Sequence, residues 1–184
     1  VWVRYDVPVR LRNPLINSPA VASQFDVVLI DTQGAASNLQ VAAVNSADVL
    51  LAPTSPDMMS AREFVMGTTK LLDEYRSNLG SYGFVLPQFT PVLNKVDKTR
   101  DSRVMSDVIR NEMAGASVTM LATSVPNVVA FRNATTQQLP VHLLDQKAGL
   151  VMHQLLWENF PEFNGRYAPG FVEKPADAKT TAGK

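Results

Sequence analysis

The chain has 184 residues, 46% of them hydrophobic and 18% charged, with 17 basic and 17 acidic side chains and no Cys. That length and apolar fraction fit one folded domain and exclude a disordered chain. The lack of Cys excludes disulfides and thiolate metal sites, and zero net charge excludes a chain-wide field for polyanions, though not a local basic patch. No apolar run reaches the roughly 18 residues of a membrane span, and the N-terminal order is not that of a signal peptide. A cytoplasmic protein is therefore expected.

Residues 1–24 read as an irregular segment, because Pro8, Pro14 and Pro19 interrupt any long helix or central strand. From Phe25 the pattern becomes regular. Val27, Val28, Leu29 and Ile30 form a continuous apolar run that ends at Asp31, the signature of a strand buried on both faces. A helix is expected over 39–46, then a second buried strand over 49–52, closed by Pro53 and Pro56. Ser60 and Glu63 have capping-box spacing. Behind them Phe64, Val65, Thr68, Leu71, Leu72 and Tyr75 recur at helical intervals, which predicts a helix over 61–75.

Gly80, Gly83 and Pro87 mark 76–88 as a loop with room for a short strand at 84–86. A strand over 91–93 ends at Asn94. Asp101 or Ser102 can cap the next helix, whose apolar stripe is Val104, Met105, Val108, Ile109 and Met113. A strand over 117–121 and a short helix over 128–134 follow. A last helix starts at Asp145 and carries Ala148, Val151, Met152, Leu155 and Leu156, with Trp157 and Phe160 as anchors. After Phe171 the sequence is low-complexity and reads as a disordered tail. Four alternations of strand and helix predict an α/β architecture, with a mostly parallel sheet flanked by helices.

Ligands of such sheets bind beyond the carboxyl ends of the strands, so the polar residues there are the candidates. Asp31 at a strand end can hold a magnesium-bound water beside phosphates, and Gly34 lets backbone approach a phosphate; the plain alternative is a carboxylate that caps a turn. Asn94 offers one acceptor and two donors to a purine edge. Asn94-Lys95-Val96-Asp97 also spells NKxD, the guanine-reading pattern, so a GTPase stands as an alternative. Arg100 and Arg103, with Arg110, could neutralise DNA phosphates, or simply form a solvated helix face interrupted by Asp101 and Asp107. His142 and His153 lack ligand spacing and read as packing residues; the Met residues read as core filler and Ser60 as a cap.

From Phe25 to Phe160 the order of these pieces resembles a ParA-type partition ATPase of the ParA/MinD, deviant Walker group. The likeness rests on the apolar strand ending in Asp31-Thr32, the helix leading to Ala47-Asp48 and the strand closed by Pro53. It continues through Pro91-Val92-Leu93-Asn94, Val125-Pro126-Asn127, the stretch Ala130-Phe131-Arg132-Asn133-Ala134 and Leu139-Pro140-Val141. The resemblance implies a P-loop NTPase-like fold and an ATP-dependent, homodimeric switch. That switch binds DNA nonspecifically, partitions plasmids, chromosomes or other cargo, and is stimulated by a partition adaptor protein. It implies ATP and Mg²⁺ as cofactors, Asp31 as the Walker B carboxylate acting on magnesium through water, Asn94 as the adenine contact, and Val125, Pro126 and Asn127 as the border of the base. Asp97 is then incidental to base choice.

Family members carry a Gly-rich GKGGxGKT loop that holds the phosphates, and this sequence has none; its Gly-Lys pair is Gly183-Lys184. The acidic residue that positions water after the family's next strand is also missing. The expectation is therefore a C-terminal part of a larger domain: an irregular segment (1–24), a partial nucleotide-binding domain (25–160) and an extension with a tail (161–184). The Val1 start and the nine scattered Gly fit that expectation. Such a chain should neither bind ATP tightly nor hydrolyse it alone, and should expose an apolar sheet edge. A non-catalytic remnant or accessory subunit is the other alternative.

Overall fold

The computed structural model describes residues 11–25, 27–32, 38–82 and 87–164. Their elements, in order, are α1 (Arg12–Asn17), α2 (Pro19–Gln24), α3 (Asn38–Ser46), β1 (Val49–Thr54), α4 (Met58–Tyr82) and β2 (Gln88–Val96). Then come α5 (Arg100–Gly115), β3 (Ser124–Pro126), α6 (Val129–Gln137), α7 (Val141–Leu144), α8 (Gln146–Asn159) and a 3₁₀ turn (Pro161–Phe163). The strands form one three-stranded sheet in the order β1-β2-β3, flanked by helices, and β2 and β3 run parallel. The expected α/β class is thus found. Among the described residues no helix is long and apolar enough to cross a membrane. The chain divides into two compact units, Val1–Ala52 with Met66–Thr90, and Pro53–Val65 with Pro91–Lys184.

In the first unit, residues 12–24 hold two short helices, α1 and α2. Pro14 lies in the first turn of α1 and Pro19 opens α2, positions where a missing N–H breaks no helical bond. Each helix has six residues, and the prolines in their first turns do not prevent them. Ser18 caps α2 by accepting from the Val21 N–H (3.4 Å), and the Arg12 guanidinium donates to the Asn45 carbonyl (3.2 Å), tying α1 to α3. Four consecutive residues of α3, Ala42, Ala43, Val44 and Asn45, are buried, so this part of the helix is covered on most sides.

The expected strand over residues 27–30 is not part of the sheet. Val27 and Val28 are close to half exposed and Leu29 is 89% exposed. An apolar run becomes a doubly buried strand only with a pairing partner and a cover on each face, and none pairs with it among the described residues. β1 also differs from expectation: it is half-buried, with Leu51 exposed, and it runs through Pro53 to Thr54. At the sheet's edge the lost proline donor is tolerated. Gln88 N–H donates to the Asp48 carbonyl (2.9 Å) and Thr90 Oγ1 to that of Leu50 (3.4 Å), joining the starts of β1 and β2. The loop expected from residue 76 is instead helix, since α4 continues to Tyr82; the short strand expected at 84–86 lies outside the described residues.

In the second unit, α4 begins three residues before the expected start. Asp57, not Ser60, is its cap, accepting from the Ser60 N–H (2.9 Å). Thr99, not Asp101 or Ser102, caps α5 by accepting from the Ser102 N–H (3.2 Å). Of the stripe expected on α5, Ile109 and Met113 are fully buried and Met105 partly, whereas Val104 and Val108 are exposed. Ile109 and Met113 pack with Leu93 and Ala61 into one core cluster; Val92, Leu121 and Leu155 form a second, flanked by Val125 and Met152. No strand forms over 117–121: Ser117 adopts a left-handed conformation (φ 59°), and the parallel strand is only Ser124–Pro126. The two later helices match expectation closely, with Asp145 capping α8 through the Ala148 N–H (2.8 Å).

Candidate functional site

The carboxyl ends of β2 and β3 carry the residues that sequence reasoning singled out, and their backbone explains how they are presented. β2 does not stop at Asn94 but continues to Val96. Leu93 is opposite Ser124 and Val96 opposite Pro126, so Asn94 and Lys95 together oppose the single residue Val125. This is a bulge, the device by which a strand turns a side chain away from its regular alternation. Lys95 takes the left-handed conformation (φ 56°) that the bulge demands, and its N–H donates to Asn94 Oδ1 (2.9 Å). With its oxygen engaged, Asn94 retains the Nδ2 amide as a donor.

Two hydrogen bonds join this bulged end to the residues after β3. Asn127 N–H donates to the Val96 carbonyl (3.0 Å), and Asn127 Nδ2 donates to Asp97 Oδ1 (3.1 Å). Asp97 is itself placed by its N–H, which donates to Ser102 Oγ (3.0 Å) inside the first turn of α5. The structure therefore brings Asn94, Val125, Pro126 and Asn127 together at one edge, with Asp97 beside them. Val125 also has a packing role, since its side chain lies against the core cluster of Val92, Leu121 and Leu155.

The other candidates are Asp31, Gly34, Arg100 and Arg103. Asp31 is exposed in the first unit, at the end of the unpaired 27–32 stretch. Gly34 lies outside the described residues. Arg100 and Arg103 are exposed at the amino end of α5, and the Arg103 guanidinium donates to the carbonyls of Thr99 (3.4 Å) and Lys98 (3.3 Å). Among the described residues no group of three or more His, Cys, Asp or Glu side chains is arranged to hold a metal. The His142 ring on α7 lies 6.0 Å from that of His153 on α8, which stacks at 5.8 Å on Trp157 of the same helix, as packing residues do.

Two residues that sequence reasoning did not place here hold the segment leading into β3. Arg110 donates to the carbonyls of Leu121 (2.9 Å) and Ala122 (3.3 Å) and to Ser124 Oγ (3.1 Å). The Glu158 carboxylate accepts from the N–H groups of Ala122 and Thr123, the latter at 2.9 Å. Burial pushes the Glu158 carboxyl up. The Thr123 and Ala122 N–H groups, the Thr123 hydroxyl and the charge of Arg110 outweigh it and hold the group below the ordinary carboxylate value. Neither residue carries a local signal, because Glu158 meets partners 35 and 36 positions away.

No protein-family model and no curated protein sequence matches the chain. Among solved structures, a Cyanothece McdA variant in complex with ATP matches with a TM-score of 0.62 at 16% identity, over 81% of this chain and 57% of that one. Apo McdA from Cyanothece matches with a TM-score of 0.61 at 16% identity, over 81% and 59% of the two chains. A structure described as a partition protein matches with a TM-score of 0.41 at 19% identity, over 55% and 31%. The chain thus shares the McdA fold across most of its own length while spanning less than two thirds of the McdA chains. At this identity the likeness is one of fold.

Proposed function

We propose that this chain is the base-binding side of a ParA-type partition ATPase, with ATP as its nucleotide. The observation that supports this reading is the bulged end of β2, which sets Asn94 beside Val125, Pro126 and Asn127 in a fold shared with ATP-bound McdA. Asn94 Nδ2 would donate to a ring nitrogen of adenine, while Val125 and Pro126 would border the base. Asp31 would be the Walker B carboxylate. The described residues supply no multidentate metal set, so Mg²⁺ fits Asp31 only with water and nucleotide phosphates as co-ligands. When bound there it would neutralise phosphate charge.

The sequence lacks the Gly-rich loop that supplies most phosphate contacts, so affinity of the 184-residue chain is expected to be weak and its turnover absent. A homodimeric switch, nonspecific DNA contact through Arg100 and Arg103, and stimulation by an adaptor protein belong to the same proposal. A GTP-using reading would need the Asp97 carboxylate free for the guanine edge. Its Oδ1 accepts from Asn127 Nδ2 while Oδ2 keeps its acceptor sites, so the choice of base falls to the ATP and GTP titrations below.

The test is a titration of the 184-residue chain with millimolar ATP, followed on the side-chain amide resonances of Asn94 and Asn127. ATP should shift both, Asn94→Ala should abolish the Asn127 shift, and GTP should produce less change. Amides indifferent to ATP would exclude the reading, and a GTP response exceeding that of ATP would favour the alternative.

A further inference from the structure

We infer that Arg110 and Glu158 are positioning residues which hold the segment 121–127 in the geometry that borders the base, without themselves touching it; this rests on the nucleotide reading above. The need for such a device follows from the backbone. Residues 118–123 form no regular element, and β3 has only three residues, the last of them Pro126 with no N–H to give. A segment with so little ladder leaves backbone donors and acceptors that need other partners.

Two helices supply them with opposite charges. The Leu121 N–H is held by the Pro91 carbonyl of β2 (2.8 Å); beyond it Arg110 on α5 takes the acceptors of Leu121, Ala122 and Ser124, and Glu158 on α8 takes the donors of Ala122 and Thr123, five side-chain hydrogen bonds in all. Their targets alternate along four consecutive residues, Leu121 to Ser124, so a shift of one residue would break the set. Apolar packing alone would not resist that shift. Leu121 and Val125 seat the segment against Leu155 and Met152 of α8, which sets its depth but is non-directional. Charge-assisted hydrogen bonds are directional and set its register. Downstream, Asn127 is latched to Val96 and Asp97. The segment is therefore fixed at both ends, and the fixed span is Val125 to Asn127.

The test uses the 184-residue chain with Glu158→Gln and Arg110→Lys, and Glu162→Gln at an exposed position as control. Amide exchange is read at Ala122, Thr123, Val125 and Asn127, together with the ATP-induced shift at Asn94. Losing one charge-assisted bond should speed exchange across the segment about tenfold. Ile109 should keep its protection, and the Asn94 response to ATP should shrink. Should Arg110→Lys fail to fold, Glu158→Gln decides, since it keeps the side chain's shape. Unchanged exchange at Val125 and Asn127 would overturn the inference. So would faster exchange with a full ATP response, which would mean a role in stability alone. If the unsubstituted chain shows no ATP response at Asn94, the nucleotide reading fails and takes the positioning role with it, whatever the exchange rates show.

Discussion

Glu158 shows how a single carboxylate can be pulled two ways. Burial raises its affinity for a proton; the donors of Thr123 and Ala122 and the charge of Arg110 lower it by more. Because the folded value lies below the unfolded one, its contribution to stability is present above the ordinary carboxylate range and is lost as pH falls through the folded value. Thermal melts across mildly to strongly acid pH should therefore show a steeper loss of stability for the natural chain than for Glu158→Gln; parallel curves would contradict this. Asp57 is lowered too, first by the Ser60 N–H and then by the Ser60 hydroxyl, against a small effect of burial. Gly149 sits where a Cβ would lie 2.8 Å from the His142 Cα and 2.9 Å from its Cβ. The Cα cannot move without shifting α7, so Gly149→Ala should destabilise the chain by about 1–3 kcal/mol, seen as a lower melting temperature. A melt equal to that of the natural chain would show that α7 yields freely.

At the scale of elements, the five expected helices start within three residues of their expected places, whereas α1, α2 and α7 were not foreseen and the capping residue was not always legible. Ser60, Asp101 and Ser102 all have capping chemistry, yet Asp57 and Thr99 do the capping. Several neighbouring Ser, Thr and Asp residues compete for the role, and packing of the helix face chooses among them. Deep burial of Ile109 and Met113 fixes the rotation of α5, and Thr99 is then the residue in place. Thr99→Ala should cost about 1 kcal/mol by chemical denaturation, whereas Asp101→Ala should cost less. Should α5 also meet DNA, Arg100→Ala and Arg103→Ala should each flatten the dependence of log affinity on log salt by about one unit. A slope indifferent to both would remove α5 from any DNA surface. The strands were less legible than the helices. Residues 27–30 have the composition of a central strand and yet Val27, Val28 and Leu29 lie exposed, because composition cannot supply the neighbours that a strand must pair with.

The whole chain combines a fold that binds nucleotides elsewhere with a sequence that has no phosphate-binding loop. Charge stabilisation at the phosphates is the largest part of phosphoryl-transfer catalysis, so the 184-residue chain should release no phosphate from ATP with magnesium present. Magnesium-dependent release that disappears in Asp31→Ala would refute this. The alternation of strands and helices, the helix over 39–46 and the last helix starting near Asp145 could be read from the sequence. Each depends on periodicity or capping within a few turns, which is local. Only the tertiary structure revealed the bulge at Asn94 and Lys95, the exposure of 27–29 and the grip of Arg110 and Glu158 on the approach to β3. Those features depend on which backbone groups lack a ladder partner and which distant side chains reach them, and pairings across dozens of residues leave no period in a sequence.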